Sequence, residues 1–432
     1  MKKLISAWLI LLFMSAMFIV PAFATVFTTP TTVTRNLVRN DFHVTASPND
    51  LSSDTVIVYP QPAKEWTFMV YMAADNNLDS AAIDDINEME IAGSTGEVNI
   101  VVFLDRWDEE AESGSWIYYI VHDEDPNMIA SPILKSLDEQ NTGDPSTLRY
   151  FVEYATTYFP AENYGLVLWD HGNGWFGVCW DWTDGDHLDI DEIQQALTGL
   201  PKLALIGFDA CLMSMIEVAY DFVGLADVMV ASEEYEPWDG WPYDMFLVDL
   251  IENPEWTAEA LAEEIVDDYI ESYGTDGFLR AFVTMAAIDL TELPMLVELI
   301  DELATFLMDH LSEYYGVITK AKNSADRYPF GFGPRGSFID LYHFVSLLDT
   351  NNGDLKILVD EILGTWEDVV IAAKSYNKMH KHALGLTIYF PVNAKLGYYP
   401  EDYSTAGLDF VDETRWNEFL VEYFTYFGCK QN

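Results

Sequence analysis

The sequence predicts an α/β fold in which a mostly parallel sheet is covered on both faces. Three observations carry this. Several short segments are apolar at every position, as strands buried between two layers must be. They alternate along the chain with segments of helical period. Two of them end in polar residues of a reactive kind, Asp170-His171 and Asp209-Ala210-Cys211, at the strand ends where chemistry sits in such sheets.

The elements follow in order. Residues 66–73 read as a buried strand, and Leu78 to Ile91 as a helix with Leu78, Ala82, Ile86 and Met89 at helical spacing. "VNIVVFLDR" (98–106) is a second buried strand and "SWIYYIVHD" (115–123) a more alternating one. Asp144 as N-cap with Pro145 at the first helical position opens a helix. The strand before His171, a helix in "LDIDEIQQALTGL", and the strand "LALIGFDAC" come next. "CLMSMIEVAYDFV" is expected to be a helix whose first turn starts at the cysteine, followed by the strand "ADVMVASEEY". Beyond residue 250, helices are expected near 257–273, 291–315, 338–348, 354–375 and 415–427, with strands at "FLRAFVTMAAI" and "LGLTIYFP". This part is α-rich, without a linker marking a separate domain.

A chain of 432 residues can bury a sizeable core as one large domain or two ordinary ones. The N-terminus carries two lysines, an apolar run from Leu4 to Val20, and Ala22-Phe23-Ala24. That pattern predicts a secretory signal over 1–24, cleaved after Ala24, with an uncleaved anchor as the alternative. Residues 25–62 are rich in Thr, Ser, Pro and Asn and read as a linker or propeptide, with Arg35 and Arg39 as accessible cleavage points. The ordered region is expected over 63–432, as a core over 63–250 and a C-terminal continuation over 251–432. The formal charge of −51 argues against nucleic acid or anionic membrane as partner and favours cationic substrates or calcium, with a solvated, salt-tolerant surface as the alternative for most of the 72 carboxylates. Three cysteines, Cys179, Cys211 and Cys429, are too few for a disulfide framework and leave at least one free thiol.

Thiol catalysis needs a cysteine of depressed pKa, a base, and donors for an oxyanion. Cys211 at a helix N-terminus meets the first need, since backbone N–H groups there favour thiolate. His171 is the candidate base, and the amides of Gly172 and Cys211 are the candidate oxyanion donors, provided that the two strands are neighbours. Plain packing is the alternative for a strand-end cysteine.

The blocks "WTFMVYMAADNNLD", "GLVLWDHGNGW", "LALIGFDACLMSMIEVAY", "ASEEYEPWDGWPYD" and "LGLTIYFP", in that order, resemble the clostripain family of cysteine peptidases, relatives of caspases, gingipains and legumain. The likeness runs from about Trp66 to the C-terminus. It implies a caspase-like three-layer α/β/α sandwich and a Cys-His dyad, with His171 in the His-Gly motif and Cys211 as nucleophile. It also implies that Asp209 binds a basic P1 side chain, so that the enzyme cleaves protein substrates after Arg or Lys. A buried carboxylate pairs well with guanidinium and rejects neutral or acidic side chains. Asp239, between Trp238 and Trp241, is a second pocket candidate, with an exposed loop carboxylate as the alternative. A non-catalytic binding protein of the same fold, or a peptidase of different P1 choice, are the competing readings.

Relatives often cut themselves at a basic residue between the two blocks. Here only Lys202 stands there, beside a strand, so a single chain is expected, or activation at Arg35 or Arg39 instead; the mature protein is expected to be a secreted monomer. Asp170 reads as structural. Cys179 reads as packing or as a partner of Cys429. No cofactor is required for this chemistry. Some relatives require calcium, and the acidic runs 181–192 and 349–354 admit it without matching a twelve-residue EF-hand loop. No metal-ligating residue is assigned.

Overall fold

The computed structural model describes residues 61–107, 114–275, 283–329, 336–348, 353–376, 380–392 and 403–431, the side chains of 427–431 excepted. The expected signal segment, most of the linker with Arg35 and Arg39, the run 349–352 and the Cys429 side chain lie outside the described residues.

Among the described residues fourteen strands occur in chain order: β1 (Lys64–Ala74), β2 (Val98–Arg106), β3 (Gly114–Tyr119), β4 (Ile133–Leu137), β5 (Ala161–Trp169), β6 (Val178–Asp181), β7 (Asp186–Leu188), β8 (Leu203–Asp209), β9 (Ala226–Ala231), β10 (Thr284–Asp289), β11 (Arg327–Tyr328), β12 (Phe338–Asp340), β13 (Val370–Ser375) and β14 (Thr387–Tyr389). Nine of them form one sheet in the order β13-β10-β9-β8-β5-β1-β2-β3-β4. Its centre, β9 through β2, is parallel. Antiparallel pairs close both edges.

The parallel centre explains the sequence pattern. Every residue of β8 and all but the first two of β1 are buried, because helices cover both faces. On one face Phe68, Val70 and Met72 pack with helices Asp79–Ala92, Tyr243–Glu252 and Ala258–Ser272. On the other, Tyr71 stacks on Phe103 at 4.9 Å, with Phe151 of helix Pro145–Tyr158 against both. Each such side chain contributes about 1.5–3 kcal/mol of burial. Asp144 caps that last helix, accepting from the Ser146 N–H at 2.8 Å. The result is the expected α/β/α sandwich.

Four expectations needed correction. The segment after Cys211 is not helical until Ile216, and the helix there spans only Ile216–Tyr220. Leu212 has a φ of 68°, and Met215 bridges in parallel to Thr387, so the chain leaves β8 through a tight turn and pairs with β14 before it coils. The expected helix over 291–315 is two helices, Leu293–Asp309 and Leu311–Ser324, broken at His310. That over 338–348 opens as strand β12 before its helical turns. That over 354–375 ends at Val369, where Val370-Ile371 continues as β13 against β10. Strands β10 and β13 thus come from beyond residue 250 and extend the central sheet. No helix of the described residues is long and apolar enough to cross a membrane.

Candidate active site

Strands β5 and β8 are hydrogen-bonded parallel neighbours, with Trp169 opposite Asp209. The two blocks singled out from the sequence therefore leave the sheet side by side, and the Asp170 N–H still donates to Asp209 O at 3.2 Å. Two residues further, the backbones nearly touch. A Cβ on Gly172 would lie 2.3 Å from Cys211 O and 3.0 Å from Cys211 N, so only glycine fits there.

His171 is partly buried, and its Nε2 lies 2.9 Å from Asn77 Oδ1. An amide oxygen only accepts, so Nε2 carries the proton and Nδ1 the lone pair. Burial lowers the imidazole to about 4, and it is neutral at physiological pH. Asn77 sits in a loop anchored by its neighbour Asn76. The buried Asn76 side-chain amide donates to Ala73 O, Asp170 Oδ1 and Trp180 O, at 2.9, 2.7 and 3.0 Å. Asp170 also accepts from the Trp180 N–H. Asp170 therefore ties the histidine loop to β6 and does not hydrogen-bond the ring.

Cys211 is partly exposed. Its Sγ accepts from the Glu236 N–H at 3.3 Å and donates to Glu236 O at 3.8 Å. Among the described residues it hydrogen-bonds no imidazole. The thiol is pushed up to about 12, by burial first and then by Glu236, against which the Glu236 N–H works. The expectation of a thiolate held by a helix N-terminus is thus corrected: there is no helix at the cysteine, and the surrounding charges are acidic. At rest Cys211 is a thiol and His171 a neutral imidazole.

Asp209 is buried, accepting from Tyr243 Oη at 2.9 Å and from the Trp241 N–H at 3.4 Å. The Glu236 carboxyl lies in the same interior, where burial raises it and the charge of Asp209 raises it further, and neither of its oxygens has a hydrogen-bond partner among the described residues. Burial raises Asp209 to about 6, against the hydrogen bonds from Tyr243 and the Trp241 N–H. Asp85 and Glu88 crowd the same interior, and Trp169 Nε1 donates to Asp85 at 2.6 Å. Asp239 is exposed on the loop above, beside Trp238, itself 51% exposed. Trp241 is not a pocket wall: it is fully buried, its ring lying where a Cβ on Gly207 would stand.

Cys179 is a free, fully buried thiol, and Cys429, its alternative partner, lies outside the described side chains. Lys202 contacts Asp227 directly before β8. Sequence reasoning missed Asn76, Asn77, Glu236 and Tyr243. The first two stand in the quoted block "MAADNNLD", but an amide in a loop announces no partner.

The clostripain family model matches residues 70–423. Clostripain of Hathewaya histolytica is 31% identical over 213 residues, which cover 41% of this chain and 40% of that protein. The chain thus aligns with less than half the length of this curated relative. Among solved structures, a secreted C11 cysteine protease from Bacteroides thetaiotaomicron with an irreversible peptide inhibitor is 21% identical, with a TM-score of 0.61, over 79% of this chain and 99% of that one. An inactive zymogen C11 protease from Parabacteroides distasonis is 21% identical, with a TM-score of 0.64, over 82% and 99%. At that identity the solved structures speak for the fold, which is theirs. The family match spans most of the chain and both strand-end blocks: the protein belongs to the clostripain family of cysteine peptidases.

Proposed function

We propose that the protein is a secreted, monomeric endopeptidase that cleaves after Arg or Lys with a Cys211–His171 dyad. The observation that carries this is the abutment of Gly172 on the Cys211 backbone, at the ends of neighbouring parallel strands, with a buried acid two residues before the thiol.

The reaction follows from the protonation states. Cys211 Sγ attacks the scissile carbonyl carbon as its proton passes to Nδ1 of His171, the nitrogen that Asn77 leaves free. The Gly172 and Cys211 N–H groups hold the developing oxyanion, each such donor contributing about 10²–10³ in rate. The imidazolium then protonates the leaving amine. Water, deprotonated by His171, attacks the thioester and expels the Cys211 sulfur, which recovers a proton from the ring. Asp209 binds the cationic P1 side chain, whose charge offsets the acidic surroundings that Asp209 shares with Glu236, and Asp239 meets substrate at the rim. The proposed organisation is signal segment 1–24, linker or propeptide 25–62, and peptidase region from residue 63 onward. The bond-making and bond-breaking steps use these residues and water alone.

The test is hydrolysis of Arg and Lys reporter peptides by wild type, Cys211→Ala and Asp209→Asn. The first variant is expected to be inactive; retained activity overturns the nucleophile assignment. The second is expected to lose its preference for basic over neutral P1 by at least ~10²-fold. Unchanged selectivity overturns the pocket assignment.

A further inference from the structure

Beside the histidine loop, on the side away from Asp209, four carboxylates converge from four separate segments. Asp75 follows β1, Asp105 lies near the end of β2, Glu139 follows β4, and Asp181 ends β6. One oxygen of each lies within 4.8 Å of one of every other. Asp75, Asp105 and Asp181 are buried, the first two completely.

Part of this cluster is held in place by the protein. Ser115, opposite Asp105 in the sheet, donates its hydroxyl to Asp105 Oδ1. The Thr142 N–H and hydroxyl donate to Asp181 Oδ2 at 3.0 and 3.2 Å, and the Asp184 N–H to Oδ1 at 2.8 Å. Four other oxygens have no partner among the described residues. Asp105 Oδ2, both oxygens of Asp75 and Glu139 Oε1 are buried without a hydrogen bond. Thr183 approaches Asp75 without reaching normal hydrogen-bond geometry. The charged groups that act most strongly on the four are themselves acidic. Burial holds Asp75, Asp105 and Glu139 up at about 6, 8 and 7. Buried carboxylate oxygens with neither donor nor counter-charge are costly unless something cationic sits among them.

We propose that Asp75, Asp105, Glu139 and Asp181 bind one Ca²⁺ ion, and that this ion positions His171 through the loop that follows β1. The donors choose the ion. An all-oxygen set without histidine or thiolate excludes the preferences of zinc and copper. Four carboxylates suit Ca²⁺, which takes six to eight oxygens in flexible geometry, better than Mg²⁺, which keeps its waters and uses one or two carboxylates.

The route to the histidine is short. Asp75 precedes Asn76, which holds Asp170 and Trp180 O, and Asn77, which holds His171 Nε2. From the other side, the Trp182 N–H donates to Asp75 O at 2.9 Å, so the ligands Asp75 and Asp181 belong to two segments already bonded together. An ion among the four carboxylates fixes both strands of this clamp. His171 is thereby presented to Cys211 only when the clamp is closed. Ion binding does not depend on the peptidase reading; the effect on His171 rests on it.

The experiment uses the full protein, stripped with chelator and dialysed, as wild type and as Cys211→Ala. Titration calorimetry with CaCl₂ and MgCl₂ is expected to show one Ca²⁺ per chain, bound at least ~10-fold more tightly than Mg²⁺. Ca²⁺ is expected to raise the melting temperature of both proteins alike. Tb³⁺ in the same site is expected to luminesce on indole excitation, since Trp107 and Trp182, their rings 5.2 Å apart, lie in the segments beside Asp105 and Asp181. Asp105→Asn and Glu139→Gln are each expected to weaken Ca²⁺ at least ~10-fold; the half-buried Glu139 serves if the Asp105 variant does not fold. Reporter hydrolysis should rise with Ca²⁺ over the concentration range in which the calorimeter sees binding. Absence of Ca²⁺ heat and melting shift, or binding unchanged in both variants, overturns the site. Binding with hydrolysis indifferent to Ca²⁺ overturns the link to His171. Binding to a protein inactive at every Ca²⁺ concentration upholds the site and defeats the peptidase reading instead.

Discussion

Replacing Gly172 by alanine tests the geometry on which the proposed dyad depends. Gly172 has no left-handed φ, so the substitution adds no backbone strain of its own; the whole effect is the methyl group. Its carbon would stand 2.3 Å from Cys211 O, against a floor of 3.0 Å for real Cβ contacts, and also 3.0 Å from the Ala210 methyl. The turn carrying the thiol must therefore retreat by roughly 0.7 Å. A misplacement near 1 Å costs about 10²-fold in rate, or ~2.7 kcal/mol of barrier, and overpacking adds about 1–3 kcal/mol of destabilisation. The assay is kcat/KM on an Arg reporter peptide, with thermal unfolding alongside. Gly96→Ala is the control, because a Cβ there meets nothing within 4 Å. Gly172→Ala should lose ~10²-fold in kcat/KM and several degrees in melting temperature, and Gly96→Ala neither. A Gly172→Ala enzyme within about threefold of wild type, with unchanged stability, refutes the close approach.

Asn77→Ala should lower kcat by about 10–10²-fold with little change in KM, because the imidazole loses the acceptor that fixes its tautomer; Asn77→Asp, which keeps an acceptor, should recover part of the loss. Iodoacetamide should label Cys211 with a rate that climbs throughout the alkaline range, since a thiol at about 12 is ~10⁻⁵ thiolate at pH 7; a plateau near neutrality would instead reveal a resting ion pair. Glu217, Asp221 and Asp340 are buried and held at about 7, 8 and 7, chiefly by desolvation. The folded chain then binds protons that the unfolded chain releases. Their stabilisation is complete below ordinary carboxylate values and is lost as pH rises through 7–8, each contributing a slope of up to ~1.4 kcal/mol per pH unit. At constant Ca²⁺ the melting temperature should fall from pH 5 to pH 8, and a rise contradicts these shifts.

The parallel centre of the sheet was legible because burial on both faces leaves continuous apolar runs, as in "LALIGF", and β5 and β8 came out as neighbours. What lay at the end of each run was less so. A helix after Cys211 was expected because Met213 to Val223 has apolar spacing, yet the tertiary pairing of Met215 with Thr387 holds its first part extended. The Val370-Ile371 run continues an amphipathic helix in sequence, and only β10 makes it a strand. Glu236 touches the thiol through backbone atoms, which no side-chain pattern reveals. The four carboxylates of the proposed ion site were out of reach for another reason. They come from positions 75 to 181, one per segment, and form no local motif; of the acidic run 181–192, only Asp181 takes part.

The pairing of Trp169 with Asp209 also predicts how such a site tolerates change in length. Because side chains alternate between faces, a one-residue insertion in β5 or β8 would turn His171 or Cys211 toward the opposite layer. Residues 173–202, by contrast, leave β5 and return at β8, and can lengthen or shorten at their surface turns while the two ends stay where the ladder puts them. Insertions that remove activity should therefore cluster within the two strands, and natural length variation should collect between the histidine and the cysteine.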